Sequence, residues 1–330
     1  MKSFIFCATT CLFSLSLKAQ DSMLISPIQQ SYEDFPVSKA THKGMKVISN
    51  KKDLNQANYK QNVKYITRDG LDLTLQILKP KNTKVKLPCI VYVQGSGWFK
   101  QDVYGNIPQL AEFAKRGYII AIVEYRPSTV AKFPAQLQDT KTAIRFIRKN
   151  AEAYGVDSDN IYVWGDSSGG HTALMVGLTQ NNTELDTEDY KDFGIEVNGI
   201  VDFYGPTDIS QMNYAPSIMD HIQANTPEGM LIGGKNVLEN LEEASKTNPI
   251  NYLKTAKDAA PILILHGSKD RLVPFQQSVL LADALKKNKF AYIFYQLKGA
   301  DHGSSEFWTK EIFDIVENFL KANYKKASRN

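Results

Sequence analysis

The chain has 330 residues, 43% of them hydrophobic and 11% aromatic, and a formal net charge of +4. That apolar load fills one large core and excludes a disordered chain. The near-neutral balance excludes a nucleic-acid-binding surface, and the basic stretch from Lys321 to Arg329 reads as a solvated tail.

Residues 1–20 read as a secretory signal peptide: Lys2, then an apolar run from Phe4 to Leu17, then small Ala19 before Gln20. The run is too short for a comfortable membrane span. Its removal takes Lys2 and Lys18 and no acid, which lowers +4 by two to +2, and takes Cys7 and Cys11. The mature protein is therefore expected to be exported, periplasmic or extracellular, with no membrane span and no internal disulfide. Cys89 remains, in an apolar strand, as a small buried hydrophobe. No paired Cys/His spacing is present, so neither a metal nor a cofactor is expected. Nothing in the sequence speaks to the oligomeric state.

Residues 21–61 are polar and weakly periodic, and read as an extension over the surface. Strands begin at Val63 to Thr67 and continue at Leu71 to Leu78, joined by Asp69-Gly70 as an antiparallel hairpin. Pro88 to Val93 is a continuous apolar run, as expected of a strand covered on both faces. The glycine-bearing loop Gln94-Gly95-Ser96-Gly97-Trp98 follows it. Then come a helix with Leu110, Phe113 and Ala114 on one face, and a buried strand at Ile119 to Val123. Phe133-Pro134 opens a helix predicted to run to about Tyr154, and Ile161 to Trp164 is the next buried strand. Further strands are predicted at Gly199 to Tyr204, Pro261 to Leu265 and Ala291 to Tyr295, before a last helix with Trp308, Ile312, Ile315, Val316, Phe319 and Leu320 on one stripe. Alternating strands and helices imply a mostly parallel central sheet of about eight strands, the second antiparallel, with helices on both faces. Residues 205–254, after the sixth strand, are too long for a simple crossover. They read either as a small cap standing over the carboxyl ends of the strands or as a packed connection.

The strand ending at Trp164 runs into Gly165-Asp166-Ser167-Ser168-Gly169-Gly170 and then a helix from His171 to Leu178. A serine centred in G-x-S-x-G on a turn from strand to helix is a nucleophile elbow, and the flanking glycines let strand and helix close around it. The spacing selects Ser167 and not Ser168, which would need a glycine at 166. A serine hydroxyl needs a base, and the base needs a carboxylate to hold its tautomer. His302, on the loop after the final strand, is the candidate base. His171 is expected to pack beside the nucleophile, His266 to be structural, and His221 lies in the insertion. Asp270, on the loop after the preceding strand, is the candidate acid; its rival Asp301 adjoins His302 and reads as a loop cap. The oxyanion donors are expected to be the backbone N–H groups of Ser96, Gly97 and Ser168, each worth about 3 kcal/mol in the transition state.

Together with Glu124-Tyr125-Arg126, Phe133 to Asp139, Trp164 to His171, Tyr204-Gly205-Pro206-Thr207-Asp208 and the loops bearing Asp270 and His302, these residues resemble the α/β-hydrolase superfamily. More narrowly the chain is similar to secreted bacterial carboxylesterases of the hormone-sensitive-lipase-like and acetylxylan/feruloyl esterase (BD-FAE-like) group. The resemblance spans roughly Val63 to Leu320, and the hydrolase domain is placed at residues 62–325, with 326–330 as a tail. It implies a serine carboxylesterase acting on acetyl or feruloyl-type esters of plant polysaccharide or oligosaccharide. The family's oxyanion loop normally reads His-Gly-Gly-Gly-Trp, and here Gln94 and Ser96 differ. Gln94 and Gly95 shape the loop, and Ser96 is expected to alter it, since serine tolerates positive φ less well than glycine. Trp98, Tyr104 and Tyr204 are candidate pocket residues. Two other readings stay open, a prolyl-oligopeptidase-type peptidase and a catalytically silent carbohydrate-binding homologue.

Overall fold

Eight strands form one sheet in the order β1-β2-β4-β3-β5-β6-β7-β8 in the computed structural model, which describes residues 26–48, 57–81, 83–256 and 258–326. The signal-peptide reading of residues 1–20 lies outside the described residues, as do 327–330 of the tail. The described residues fall into two units, 26–48 and those from 57 onward. In the first, residues 26–48 are exposed and mostly irregular, with Ser31 Oγ bonded to Asp34 Oδ2 at 2.7 Å.

The second unit holds the sheet. Its elements are β1 (Ala57–Arg68), β2 (Leu71–Pro80), β3 (Leu87–Val93), α1 (Ile107–Lys115), β4 (Ile119–Val123), α2 (Ala135–Lys149) and α3 (Ala151–Tyr154). Then follow β5 (Val156–Asp166), α4 (Ser168–Leu178), β6 (Ile200–Phe203), α5 (Pro227–Leu231), α6 (Leu241–Thr247), β7 (Ile262–Gly267), α7 (Gln276–Lys287), β8 (Tyr292–Leu297) and α8 (Lys310–Ala322). β2 pairs antiparallel with both β1 and β4, and every other pairing is parallel. This is the mostly parallel sheet that the alternation of elements predicts, and the architecture that the resemblance to α/β-hydrolases implies.

Successive residues of the central strands feed two different cores. Cys89, Val91 and Val93 of β3 and Ile161 and Val163 of β5 face α2, α4 and α7, while Ile90, Tyr92, Tyr162 and Trp164 face α1 and α8. Burial on both faces is why these strands read as unbroken apolar runs.

Several boundaries differ from expectation, among them the start of β5 at Val156. β1 begins at Ala57, inside the stretch read as an extension, because its first residues are exposed on both faces and carry no alternation. A bulge between Lys60 and Val63 places Asn62 at a φ of 52° and further breaks the pattern. The helix predicted through Tyr154 divides at Asn150, whose side-chain amide donates to the Phe146 carbonyl at 2.8 Å and competes with continuation. The elbow helix starts at Ser168, three residues early, since close packing there overrides the poor helix propensity of Gly169 and Gly170.

The insertion, residues 205–254, carries two 3₁₀ turns, Ile209–Tyr214 and Pro249–Tyr252, besides α5 and α6. Its buried residues Ile209, Leu231, Ile232, Val237 and Ala244 form a third apolar cluster around Trp98. The insertion therefore packs onto the loop after β3.

Candidate active site

Ser167 sits between β5 and α4 with φ 53° and ψ −128°, backbone that places its side chain on the outside of a sharp turn. Close approach explains the flanking glycines. A Cβ on Gly165 would lie 2.0 Å from the Gly169 carbonyl oxygen, and one on Gly169 would lie 1.9 Å from the Val93 carbonyl oxygen of β3. Both obstacles are backbone, so neither can rotate away. Gly169→Ala is accordingly expected to cost about 3 kcal/mol or more, the upper end for core overpacking, and a guanidinium chloride unfolding curve would reveal it.

Three loops at the carboxyl edge bring Ser167, His302 and Asp270 into line. His302 Nε2 lies 2.9 Å from Ser167 Oγ, and His302 Nδ1 lies 2.7 Å from Asp270 Oδ2. Asp270 is itself braced. Its Oδ1 accepts the N–H groups of Leu272 at 2.9 Å and Val273 at 2.8 Å, and its Oδ2 lies 3.2 Å from His266 Nε2. Burial alone would raise the Asp270 carboxyl, but the His266 and His302 donors outweigh it and hold the group at about 2. His266 is buried, and its Nδ1 lies 2.7 Å from Ser278 Oγ, so it is a second imidazole oriented on the same acid. Asp301 takes the loop role expected of it: its Oδ1 accepts the N–H groups of Arg271 and His302, and its Oδ2 accepts the Arg271 guanidinium.

The loop after β3 wraps around the elbow. Gly95 donates its N–H to Asp166 Oδ1 at 3.0 Å, and the same oxygen accepts the Tyr92 hydroxyl at 2.5 Å. The Gln94 carbonyl accepts Gln101 Nε2 at 3.0 Å, while Gln94 Oε1 has no partner among the described residues. Ser96 is not in the left-handed region. Positive φ falls instead on Gly97 at 60° and Trp98 at 57°, so the serine at 96 carries no backbone strain. It does change the donors: the Ser96 N–H is given to Ser168 Oγ at 2.9 Å, and Ser96 Oγ lies 3.1 Å from the Tyr125 hydroxyl. An oxyanion drawing on the Ser96 N–H would have to displace the Ser168 hydroxyl. The Gly97 N–H makes no hydrogen bond among the described residues, and Ser168 opens α4 with its N–H in the unpaired first turn.

Two of the three aromatic residues expected to line a pocket are packed instead. Trp98 and Tyr204 are each 1% exposed. The Tyr204 ring lies 4.6 Å from the His302 ring and 4.4 Å from that of Phe307, and so backs the imidazole rather than facing substrate. Trp98 turns into the insertion's apolar cluster, with its ring against His171 of α4. Tyr104 is exposed, with its hydroxyl donated to Asn62 Oδ1 at 2.8 Å. A cleft of about 500 Å³ opens beside the acid loop, between Pro216, Ser217 and Ile218 of the insertion and Lys269, Arg271 and Asp301.

Two supporting residues escaped the sequence reading. Gln101 and Asp202 act across the fold, and nothing in their local sequence shows it. Asp202 of β6 is fully buried beneath α4, its Oδ1 accepting the Gly205 N–H at 2.9 Å and its Oδ2 without a partner among the described residues. Burial pushes that carboxyl up to about 7.

A family model described as BD-FAE matches residues 75–285. The chain is 26% identical to Esterase LipC of Mycobacterium tuberculosis over 238 residues, covering 69% of this chain and 56% of that protein. It is 24% identical to Endo-1,4-beta-xylanase B of Butyrivibrio fibrisolvens over 225 residues, 67% of this chain and 33% of that protein. The chain thus spans about half or less of these relatives' length. Among solved structures, a truncated carbohydrate esterase from gut microbiota superposes with a TM-score of 0.74 at 30% identity, over 82% of this chain and 98% of that one. The chain belongs to the BD-FAE family of the α/β-hydrolase fold.

Proposed function

We propose that the protein is an exported serine carboxylesterase that removes acyl groups, of acetyl or feruloyl type, from plant polysaccharide or oligosaccharide. The observation that carries this reading is the unbroken relay from Ser167 Oγ through His302 to Asp270, with contacts of 2.9 and 2.7 Å. His302 Nε2 takes the serine proton as Oγ attacks the ester carbonyl carbon. The oxyanion so formed is met by the N–H groups of Gly97 and Ser168, with that of Ser96 joining if the Ser168 hydroxyl moves aside. His302 returns the proton to the departing alcohol, leaving an acyl-Ser167 ester. A water molecule, deprotonated by the same nitrogen, then releases the acid and restores the serine. Asp270, ionised down to about pH 2, stabilises the imidazolium in both halves.

Support for the substrate class comes from the relatives, a carbohydrate esterase and a xylanase by name. An alkyl fluorophosphonate is expected to form one adduct, and peptide mapping should place it on Ser167. An adduct elsewhere, or none, would overturn the assignment. Chromatography of acetylated and feruloylated xylo-oligosaccharides after incubation reads the acyl group directly, and release of neither acid would remove the polysaccharide reading.

A further inference from the structure

The loop that supplies Gly97 is anchored at its far end by a chain of contacts that runs into the insertion. Trp98 closes the loop at a φ of 57°, unusual for a bulky residue and sustained only by its surroundings. Its ring is buried with Ile209, Leu231, Val237 and Ala244, and its carbonyl accepts the Ser128 N–H at 2.8 Å. Its indole N–H donates to His171 Nδ1 at 3.3 Å, with the two rings edge to face at 89°.

His171, one turn into α4, completes the chain. Its Nε2 lies 2.7 Å from the Thr247 carbonyl oxygen at the end of α6. A carbonyl only accepts, so Nε2 carries the hydrogen and Nδ1 is left as the acceptor that the indole requires. Burial lowers His171 to about 4, which keeps this neutral tautomer in place at the pH values where a serine esterase works. The insertion makes a second contact nearby: a Cβ built on Gly97 would come within 3.1 Å of Pro227.

These contacts leave two loop donors free. Gly95 gives its N–H to Asp166, Ser96 to Ser168 Oγ, and Phe99 to the Ser96 carbonyl at 3.2 Å, which leaves Gly97 and Trp98 as the loop amides without an acceptor among the described residues, and of the two Gly97 is the expected oxyanion donor. We propose that Trp98 and His171 are positioning residues, and that the chain from the Thr247 carbonyl through His171 to the Trp98 indole holds the Gly97 N–H where the oxyanion forms. The inference rests on the Ser167 mechanism. It assigns the insertion a part in the chemical step although Trp98 and His171, each 1% exposed, cannot touch substrate.

Trp98→Phe keeps a buried ring and deletes only the N–H, and His171→Phe keeps a ring and deletes the acceptor. Each is expected to lower kcat on p-nitrophenyl acetate about 10- to 100-fold, the range for small misplacements of catalytic groups. KM should stay within about twofold, because the lost donor serves the transition state. The double variant should be no slower than the slower single one. His171→Gln, which can accept from the indole and donate to Thr247, should recover part of the loss. Unchanged kcat in Trp98→Phe, multiplied losses in the double variant, or a Gln variant no faster than the Phe one would each overturn the proposal. Amide hydrogen exchange provides a readout independent of turnover. Residues 95–98 should exchange faster in both phenylalanine variants while β5 does not, and equal exchange would also overturn it. Failure of the wild-type protein to react with fluorophosphonate would instead sink the Ser167 mechanism, and the exchange result would still decide whether the anchor exists.

Discussion

Ser167→Ala should lower kcat on p-nitrophenyl acetate by about 10⁶-fold, the loss expected when the nucleophile of a cooperative triad is deleted. Nothing nearby can replace it. Ser168 Oγ is the next hydroxyl along the chain, but it is buried, accepts the Ser96 N–H at 2.9 Å and bonds to Tyr125. Ser96 Oγ is spent on the Phe99 carbonyl at 2.8 Å and on Tyr125. The fold should survive, because alanine keeps the Cβ, and the Ser167 N–H still reaches the Phe203 carbonyl at 2.8 Å. A thermal midpoint close to wild type combined with a rate at background is therefore the expected pair of results. Residual turnover above about one part in 10³ of wild type would mean that another group attacks the ester.

How much of this was legible depends on whether the information is local. The buried strands and the elbow announce themselves because parallel strands between two helical layers must be apolar throughout, and because Gly165 and Gly169 meet backbone that no side chain could share. The candidate triad was legible from chain order, since each member sits on the loop that follows a recognisable strand. β1 was half hidden, since an exposed edge strand needs no alternation. The aromatic residues misled for a related reason. Trp98 adjoins the candidate oxyanion loop and Tyr204 follows a strand at the same edge, yet both rings, at backbone φ of 57° and 43°, pack against the insertion or His302 instead of facing solvent. Ser96 shows the limit most clearly. Glycine at that position in related loops suggests a left-handed residue, yet here the left-handed step falls one residue later, and the consequence of the serine lies in its hydrogen bonds to Ser168 and Tyr125. The Trp98, His171 and Thr247 contacts join residues 73 and 76 positions apart, and no spacing rule reaches that far.

Asp270→Asn is expected to lower kcat by about 10⁴-fold while leaving Ser167 and His302 in place, as loss of the orienting carboxylate does in other serine hydrolases. Asparagine can keep its carbonyl toward the N–H groups of Leu272 and Val273, as Asp270 Oδ1 does at 2.9 and 2.8 Å. Its NH₂ group then faces His302 Nδ1, where the carboxylate oxygen had been at 2.7 Å. A donor there forces Nδ1 to accept, which moves the ring hydrogen to Nε2, and an Nε2 that already carries hydrogen cannot take the proton of Ser167. His266 Nε2, 3.2 Å from the same oxygen, meets the same NH₂ group, so the variant also sets donor against donor in a buried site. Stability should fall as well, with a pH signature. The folded-state value of Asp270, about 2, lies below its ordinary 3.8, so its contribution is complete above about pH 4 and is lost as pH falls through 2. The difference between 3.8 and about 2 corresponds to about 2.5 kcal/mol, and the gap between wild type and Asp270→Asn should be of that order at pH 6 and narrow toward pH 2. Urea unfolding of both proteins at pH 6 and pH 3 tests the stability claim. A gap that widens in acid would contradict the ionised state assigned to Asp270, and a kcat within about tenfold of wild type would remove it as the residue that orients His302.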